Sequence, residues 1–189
     1  MGIILASTSP RRRELMERMG LDFVVRTAPH DETLNPFNSP ADEVARLSML
    51  KAKAVYPHCN DEDIIVAADT IVVCDGLMMG KPRSESEAFS MLRRLSGRDH
   101  QVMTGLTVMY GDEVVNTTVT TTLRMRHLSD AEIRAYIATG EPMDKAGAYG
   151  IQGAGLRFVE EIRGDFYAVM GLPAASLWNF LKKFPEMDE

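Results

Sequence analysis

Short apolar runs bounded by turn residues occur along the whole chain and are typical of buried strands. Residues 113–126 are instead rich in threonine and alternate between apolar and polar positions, which indicates an exposed antiparallel pair. The predicted strands cover residues 2–6, 21–26, 63–74, 101–110 and 113–126, and residues 157–163 and 165–169 are predicted to form a hairpin. Asp75-Gly76 marks a turn.

Helix signals fall between these strands. Ser9 and Pro10 are suited to begin one helix and Gly20 to end it. The other predicted helices run from the Ser39 region to about Tyr56, from a capping box at residues 84–87 to Leu95, from a second box at residues 129–132 to near Gly140, and over residues 172–184. Polar residues 28–38 and glycine-punctuated residues 141–155 are predicted loops.

The mixture of elements predicts a mixed, twisted α/β sheet with flanking helices. We expect a single domain over residues 1–189, because no repeat, linker or low-complexity segment divides the chain. Two lobes around a central cleft are compatible with this pattern, although no shift in composition marks a boundary between them.

Charge and cysteine content narrow the function. The 189 residues carry a formal net charge of −6, whereas a general nucleic-acid binder is normally basic. Any anion site must therefore be built from a few focused cations. The two cysteines lack metal-ligand spacing and indicate a reducing, cytoplasmic compartment. No apolar run reaches the length of a membrane span.

Three consecutive arginines lie at the start of the first helix, where the helix dipole disfavours cations. Residues three and four apart share a helix face, so Arg13 lies over Glu17 on the outer face. Arg11 and Arg12 lie above the buried stripe, toward the core or a cleft. A basic run of this kind is usually a solvated face.

The position of the run argues for an anion site. The arginines directly follow a buried strand, and the loop between them offers the hydroxyls of Ser7 and Ser9. A strand, a short loop and a helix N-terminus together form a ready anion site. A bound polyphosphate would turn the repulsion into attraction and would suit the planar guanidinium of arginine.

Asp69 is the one carboxylate in the apolar run from Ile64 to Val73, within the third predicted strand. A buried charge destabilises a fold strongly unless it is paired. Asp69 is therefore either a structural residue bonded to backbone amides, or a metal ligand, a general base or both. Glu32 and Asp31, in the polar loop, are candidate partners, and Mg²⁺ often takes one or two carboxylates plus substrate phosphates.

Two lysines could add positive charge to the same site. Lys51 lies late on the second helix and Lys81 in the loop after the Asp75-Gly76 turn, and either is also compatible with an ordinary surface position. Two glycine motifs are rejected. The segment GLMMGKP is one residue short for a P-loop and ends in proline, and GIQGAG has the wrong glycine order for a dinucleotide fingerprint.

Together these segments resemble the Maf nucleotide pyrophosphatases. The similarity covers nearly the whole chain, and the blocks occur in the order of that family. The segments that carry it are ILASTSPRRREL, DET, AADTIV, GKP, MLRRLSGR and EPMDKAGAYGIQG. Each would be weak alone, and jointly they are specific.

The resemblance implies a mixed α/β fold with a central cleft, often as a homodimer. It implies hydrolysis of a nucleoside triphosphate to the monophosphate and pyrophosphate with a divalent metal, Mg²⁺ or Mn²⁺. The catalytic aspartate of the family falls on Asp69 and its metal-associated glutamate on Glu32, so that both would hold the metal. The phosphate-binding residues that the resemblance implies are Ser7, Arg11, Arg12, Lys51 and Lys81.

Subgroups of the family differ at three positions, here Arg11, Thr70 and Gln152. These residues resemble the subgroup that hydrolyses dTTP and UTP, whereas the 7-methyl-GTP subgroup carries Trp, Gln and Glu. The amide of Gln152 offers one acceptor and two donors, which would suit the donor flanked by acceptors on uracil and thymine.

The expected activity is thus metal-dependent hydrolysis of dTTP and UTP, in which Asp69 orients or deprotonates a water that attacks the α-phosphorus. One alternative is a hydrolase of modified nucleotides, such as methylated uridine or cytidine triphosphates. Another is a nucleotide-sensing regulator of cell division without turnover. A nucleic-acid binder fits least, since no aromatic residues interleave with the arginines.

Overall fold

A mixed α/β sheet organises the computed structural model, which describes residues 2–184. Across these residues seven strands form one sheet in the order β2-β1-β3-β5-β6-β7, with β4 paired to β3. The strands are β1 Ile3–Leu5, β2 Phe23–Val25, β3 Ile64–Cys74, β4 Leu77–Met79, β5 Asp99–Tyr110, β6 Glu113–Met125 and β7 Val159–Arg163. The helices are α1 Pro10–Arg18, α2 Pro40–Val55, α3 Glu85–Leu95, α4 Asp130–Ile137, α5 Phe166–Met170 and α6 Ala174–Leu181.

The parallel part of the sheet is built around β1. Ile3 lies opposite Phe23 of β2 and opposite Ile64 of β3, and both pairings are parallel. All three residues of β1 are buried, as expected for a parallel strand covered on both faces. The predicted mixed α/β fold with flanking helices is confirmed. No helix within residues 2–184 is long and apolar enough to cross a membrane.

The predicted hairpin at residues 157–169 is wrong in its second half. Strand β7 pairs with β6, with Leu123 opposite Ile162, but residue 165 precedes the short helix α5 and residues 166–169 lie within it. The carboxylate of Asp165 accepts hydrogen bonds from the Tyr167 and Ala168 amides at 2.8 and 3.1 Å. An aspartate that satisfies the first free amides starts a helix, and this effect exceeds the strand propensity of the apolar residues after it.

Two of the predicted helix starts differ from the structure in detail, and a third is confirmed. Ser9 precedes α1, but its side chain makes no capping hydrogen bond. Ser84 accepts from the Glu87 amide at 3.1 Å, whereas Glu87 accepts from the amide of Arg83, so the predicted capping box is only half formed. The box of Ser129 with Glu132 is complete. The short strand β4 follows the predicted Asp75-Gly76 turn and pairs antiparallel with β3.

The described chain divides into two compact units. The first comprises the chain up to Asp69, Thr104–Val119 and the chain from Gly171 onward. The second comprises Thr70–Met103 and Thr120–Met170. The first unit therefore carries most of the predicted site residues, namely Ser7, Arg11, Arg12, Glu32, Lys51 and Asp69. The second carries Thr70, Lys81 and Gln152.

Within the first unit, β5 approaches α2 at a glycine. A Cβ atom at Gly105 would lie 2.3 Å from the carbonyl oxygen of Val44 and 2.7 Å from its carbonyl carbon. Both are backbone atoms of α2, so no side chain can move aside. We expect Gly105→Ala to lower the free energy of unfolding by about 3 kcal/mol, measured by urea denaturation, because overpacking forces backbone shifts.

The matched control is Gly2→Ala, whose added Cβ would lie 3.4 Å from Asp63 Oδ1, an ordinary contact. Its stability should stay within about 0.5 kcal/mol of the wild type. Equal midpoints for Gly105→Ala and the wild type would show that α2 does not pack closely on β5.

Candidate active site

One ammonium group joins two carboxylates from distant parts of the chain. Lys51 Nζ lies 2.5 Å from Asp69 Oδ1 and 2.9 Å from Glu32 Oε1. The Lys51 and Asp69 side chains are only 10% and 13% exposed, whereas Glu32 is 53% exposed. Water therefore screens the contact of Lys51 with Asp69 less than the contact with Glu32. Asp69 and Thr70 are the two residues of β3 that are only partly buried, and the other residues of this strand are buried.

Arg12 is buried at the start of α1 and held from two sides. Its Nε donates to the carbonyl of Gly171 at 2.7 Å, and its Nη1 donates to Ser7 Oγ at 3.1 Å. Ser7 Oγ also accepts from the Ser9 amide at 3.2 Å. Arg13 instead pairs with Glu17 on the exposed face at 2.9 Å. The predicted division of the arginines between two helix faces is confirmed.

The electrostatic environment of Arg12 connects it to the carboxylates. Burial lowers the pKa of its guanidinium, and Arg11 lowers it further, while Asp69 and Glu32 raise it. Arginine nevertheless stays protonated in proteins, so Arg12 keeps its positive charge. The first unit therefore gathers Ser7, Arg12, Glu32, Lys51 and Asp69, with Arg11 close enough to act on Arg12.

The same carboxylates are the best candidates for holding a metal ion. Within residues 2–184 no group of three or more His, Cys, Asp or Glu side chains could enclose a metal. Glu32 and Asp69 both direct an oxygen at the single cation of Lys51. Two carboxylates with the remaining positions left to water and phosphate suit Mg²⁺, and such hard oxygen donors also suit Mn²⁺. The residues fit a divalent cation that would compete with Lys51 for these oxygens.

Sequence reasoning missed His30 beside this cluster. Its Nε2 lies 3.1 Å from Glu32 Oε1 and its Nδ1 lies 2.8 Å from the carbonyl oxygen of Ala28.

Sequence reasoning also missed Glu43 and Arg46 of α2, which bind the loop that carries Glu32. Their spacing of three on one helix was the only available signal, and it also describes an ordinary surface pair.

The second unit places its predicted site residues on or beside loops. Lys81 is exposed after β4, Gln152 is exposed between two short 3-10 helices, and Thr70 is partly buried in β3. The predicted roles of Lys81 in phosphate binding and of Thr70 and Gln152 in specificity stay predictions.

The loop around Gln152 wraps a carboxylate. Glu141 accepts hydrogen bonds from the Ala154 amide and the Tyr136 hydroxyl, both at 2.8 Å. A Cβ atom at Gly153 would lie 2.4 Å from Glu141 Oε1. The glycines of GIQGAG thus allow the backbone to approach this side chain.

Comparisons with known proteins agree with the resemblance. The model of the Maf-like protein family matches residues 2–184. A dTTP/UTP pyrophosphatase of Bacillus cereus is 46% identical over 182 residues, covering 96% of this chain and 95% of the relative. A dTTP/UTP pyrophosphatase of Bacillus cytotoxicus is 46% identical over 181 residues, covering 96% and 94%.

A solved structure supports the fold. The Ham1 protein of Staphylococcus aureus matches over the full length of both chains with a TM-score of 0.53 and 14% identity. At that identity the match shows the fold alone. The family match and the close relatives, by contrast, extend over nearly all of the sequence, and they establish that this chain belongs to the Maf family.

Proposed function

We propose that this protein is a nucleoside triphosphate pyrophosphatase that hydrolyses dTTP and UTP to the monophosphate and pyrophosphate. The observation that carries the proposal is the cluster in which Lys51 joins Asp69 and Glu32 within the electrostatic reach of the buried Arg12. We infer the two substrates from the curated relatives, which are named dTTP/UTP pyrophosphatase.

The cations neutralise the triphosphate. Arg12 is already fixed by Ser7 and by the carbonyl of Gly171, so its guanidinium needs little reorganisation when negative charge develops on the leaving pyrophosphate. Lys51 and Arg11 add charge from the same unit. Lys81 enters the proposal through the resemblance alone.

Asp69 orients or deprotonates the attacking water. The water oxygen forms a bond to the α-phosphorus, the bond from that phosphorus to the bridging oxygen breaks, and pyrophosphate leaves with the electron pair. A divalent cation held by Glu32 and Asp69 would supply further positive charge to the phosphate oxygens. Such catalysis consists mainly of positioning and electrostatic stabilisation.

A pyrophosphate-release assay across nucleotides tests the function. We expect UMP and pyrophosphate in equal amounts from UTP, and the matching products from dTTP, only when Mg²⁺ or Mn²⁺ is added. Faster turnover of methylated uridine or cytidine triphosphates would favour the hydrolase of modified nucleotides. Binding of UTP without product would favour the regulator.

Base selection is assigned to Gln152, with Arg11 and Thr70 completing the pattern of the dTTP/UTP subgroup. We expect Gln152→Glu to lower kcat/KM for UTP about tenfold or more, since a carboxylate cannot donate to the uracil carbonyls and would face them with a negative charge. Gln101→Glu, at an exposed position of β5, is the matched control and should leave kcat/KM unchanged. An unaltered preference for UTP in Gln152→Glu would remove this residue from base recognition.

We propose a cytoplasmic enzyme that acts as a homodimer. The free thiols of Cys59 and Cys74 support a reducing compartment, and the homodimer is implied by the resemblance. Sedimentation equilibrium would give twice the mass of the 21.0 kDa chain, and a single-chain mass would contradict the dimer.

A further inference from the structure

Side chains of α2 form hydrogen bonds with the segment of the loop that directly follows Glu32. Arg46 Nη2 donates to the carbonyl of Thr33 at 2.9 Å. Glu43 Oε1 accepts from the Asn35 amide at 2.8 Å, and Glu43 Oε2 accepts from Asn38 Nδ2 at 2.7 Å. Two side chains of one helix therefore hold three residues of a loop without regular secondary structure.

Glu43 and Arg46 also bind each other through two hydrogen bonds. Arg46 Nε lies 2.9 Å from Glu43 Oε2, and Arg46 Nη2 lies 2.6 Å from Glu43 Oε1. Glu43 has no exposed surface. A buried carboxylate of this kind is stable only when it is paired and its remaining lone pairs are used, and here the partners are Arg46 and the loop.

The charge of Glu43 persists over a wide pH range. The hydrogen bonds from Arg46 lower the pKa of Glu43 to about 2, against burial, which raises it, and the Asn35 amide and Asn38 add to the lowering. The pair therefore stays ionised wherever the enzyme is assayed, and the acceptors that hold the loop are always present.

The same helix also reaches Glu32 itself. Glu43 and Lys51 are eight residues apart on α2 and both are buried, so they share a face. Lys51 Nζ contacts Glu32 Oε1 at 2.9 Å. Helix α2 thus binds Glu32 directly through Lys51 and binds the segment after Glu32 through Glu43 and Arg46.

We propose that Glu43 and Arg46 are positioning residues for the reaction, which fix Glu32 beside Lys51 and Asp69. This inference rests on the proposed function. Glu32 is half exposed on a polar loop, and without the pair it would sample many positions, at a cost to every step that needs it in place. Neither Glu43 nor Arg46 has to touch the substrate for this effect.

The test compares Glu43→Gln and Arg46→Lys with the wild type on UTP. Glutamine keeps the size of Glu43 but loses the charge and one acceptor, and lysine keeps the charge of Arg46 but cannot donate at both Nε and Nη2. We expect kcat to fall about tenfold in Glu43→Gln and about threefold in Arg46→Lys, because misplacing a catalytic group lowers turnover. KM should change less than twofold in both, since the cations that bind phosphate remain.

Amide hydrogen exchange provides a readout besides activity. The Asn35 amide, which donates to Glu43, should exchange about tenfold faster in Glu43→Gln once its partner is weakened. The matched control is Glu17→Gln, which makes the same change from carboxylate to amide at the exposed contact with Arg13 and should change neither kcat nor exchange in the loop. Circular dichroism confirms that each variant is folded at the assay temperature.

The outcomes separate this inference from the function on which it rests. A wild type that releases no pyrophosphate overturns the proposed function and, with it, the role of the pair in catalysis. A wild type that turns over UTP, together with folded variants of unchanged kcat, overturns the positioning role alone. Lower kcat with less than a twofold change in KM in both variants, together with faster exchange of the Asn35 amide in Glu43→Gln, supports it.

Discussion

Asp69→Asn is expected to lower kcat for UTP about 1,000-fold, within the range that loss of a general base produces. Asparagine has nearly the shape of aspartate but carries neither its charge nor its basicity. It could not deprotonate a water, and it would leave Lys51 Nζ, now 2.5 Å from Asp69 Oδ1, without a carboxylate partner in β3. Initial rates of pyrophosphate release at saturating UTP give kcat directly.

The control for Asp69→Asn is Asp112→Asn, at an exposed position between β5 and β6. This variant removes the same charge from the first unit and should keep wild-type kcat. Thermal unfolding followed by circular dichroism should show a cooperative transition for both variants. A folded Asp69→Asn enzyme with near-normal turnover would contradict the assignment of Asp69 as the catalytic residue.

Lys51→Met is expected to lower kcat/KM for UTP about 100-fold, equivalent to about 2.7 kcal/mol of transition-state stabilisation. Methionine keeps a linear apolar side chain but removes the ammonium that joins Asp69 to Glu32. The two carboxylates would then repel each other, and the phosphate would lose one cation. Most of the loss should appear in KM, because the ammonium also attracts the triphosphate before the reaction.

Lys53 provides the matched control on the same helix. It lies two residues from Lys51 in the last turn of α2 and is exposed, so Lys53→Met should retain wild-type kinetics. Lys51→Arg restores the charge but not the compact ammonium, and we expect it to recover only part of kcat/KM. Equal kcat/KM for Lys51→Met and Lys53→Met would exclude Lys51 from the site.

The elements around the site could be predicted because local signals and packing agree there. The run of apolar residues in β3 is long enough to indicate a buried strand. At the start of α2, the Ser39 side chain accepts a hydrogen bond from the Asp42 amide and caps the helix. Asp69 could be singled out for an energetic reason, since a charge within such a strand requires a partner. Its contact with Lys51 provides that partner.

The supporting residues could not be predicted because their partners are tertiary. Glu43 lies in the first turn of α2, where an acidic residue is favoured by the helix dipole and is usually solvated. Only the fold shows that it is buried and bound to Asn35 and Asn38. His30 likewise becomes informative only through its contact with Glu32, because a lone histidine in a polar loop has no periodic pattern.

The most direct test of the central claim is hydrolysis of UTP in water enriched in ¹⁸O, with the products analysed by mass spectrometry. Attack on the α-phosphorus places the heavy oxygen in UMP and leaves pyrophosphate unlabelled, and this is the result we expect. Label in pyrophosphate with none in UMP would mean that water attacks the β-phosphorus and would contradict the account.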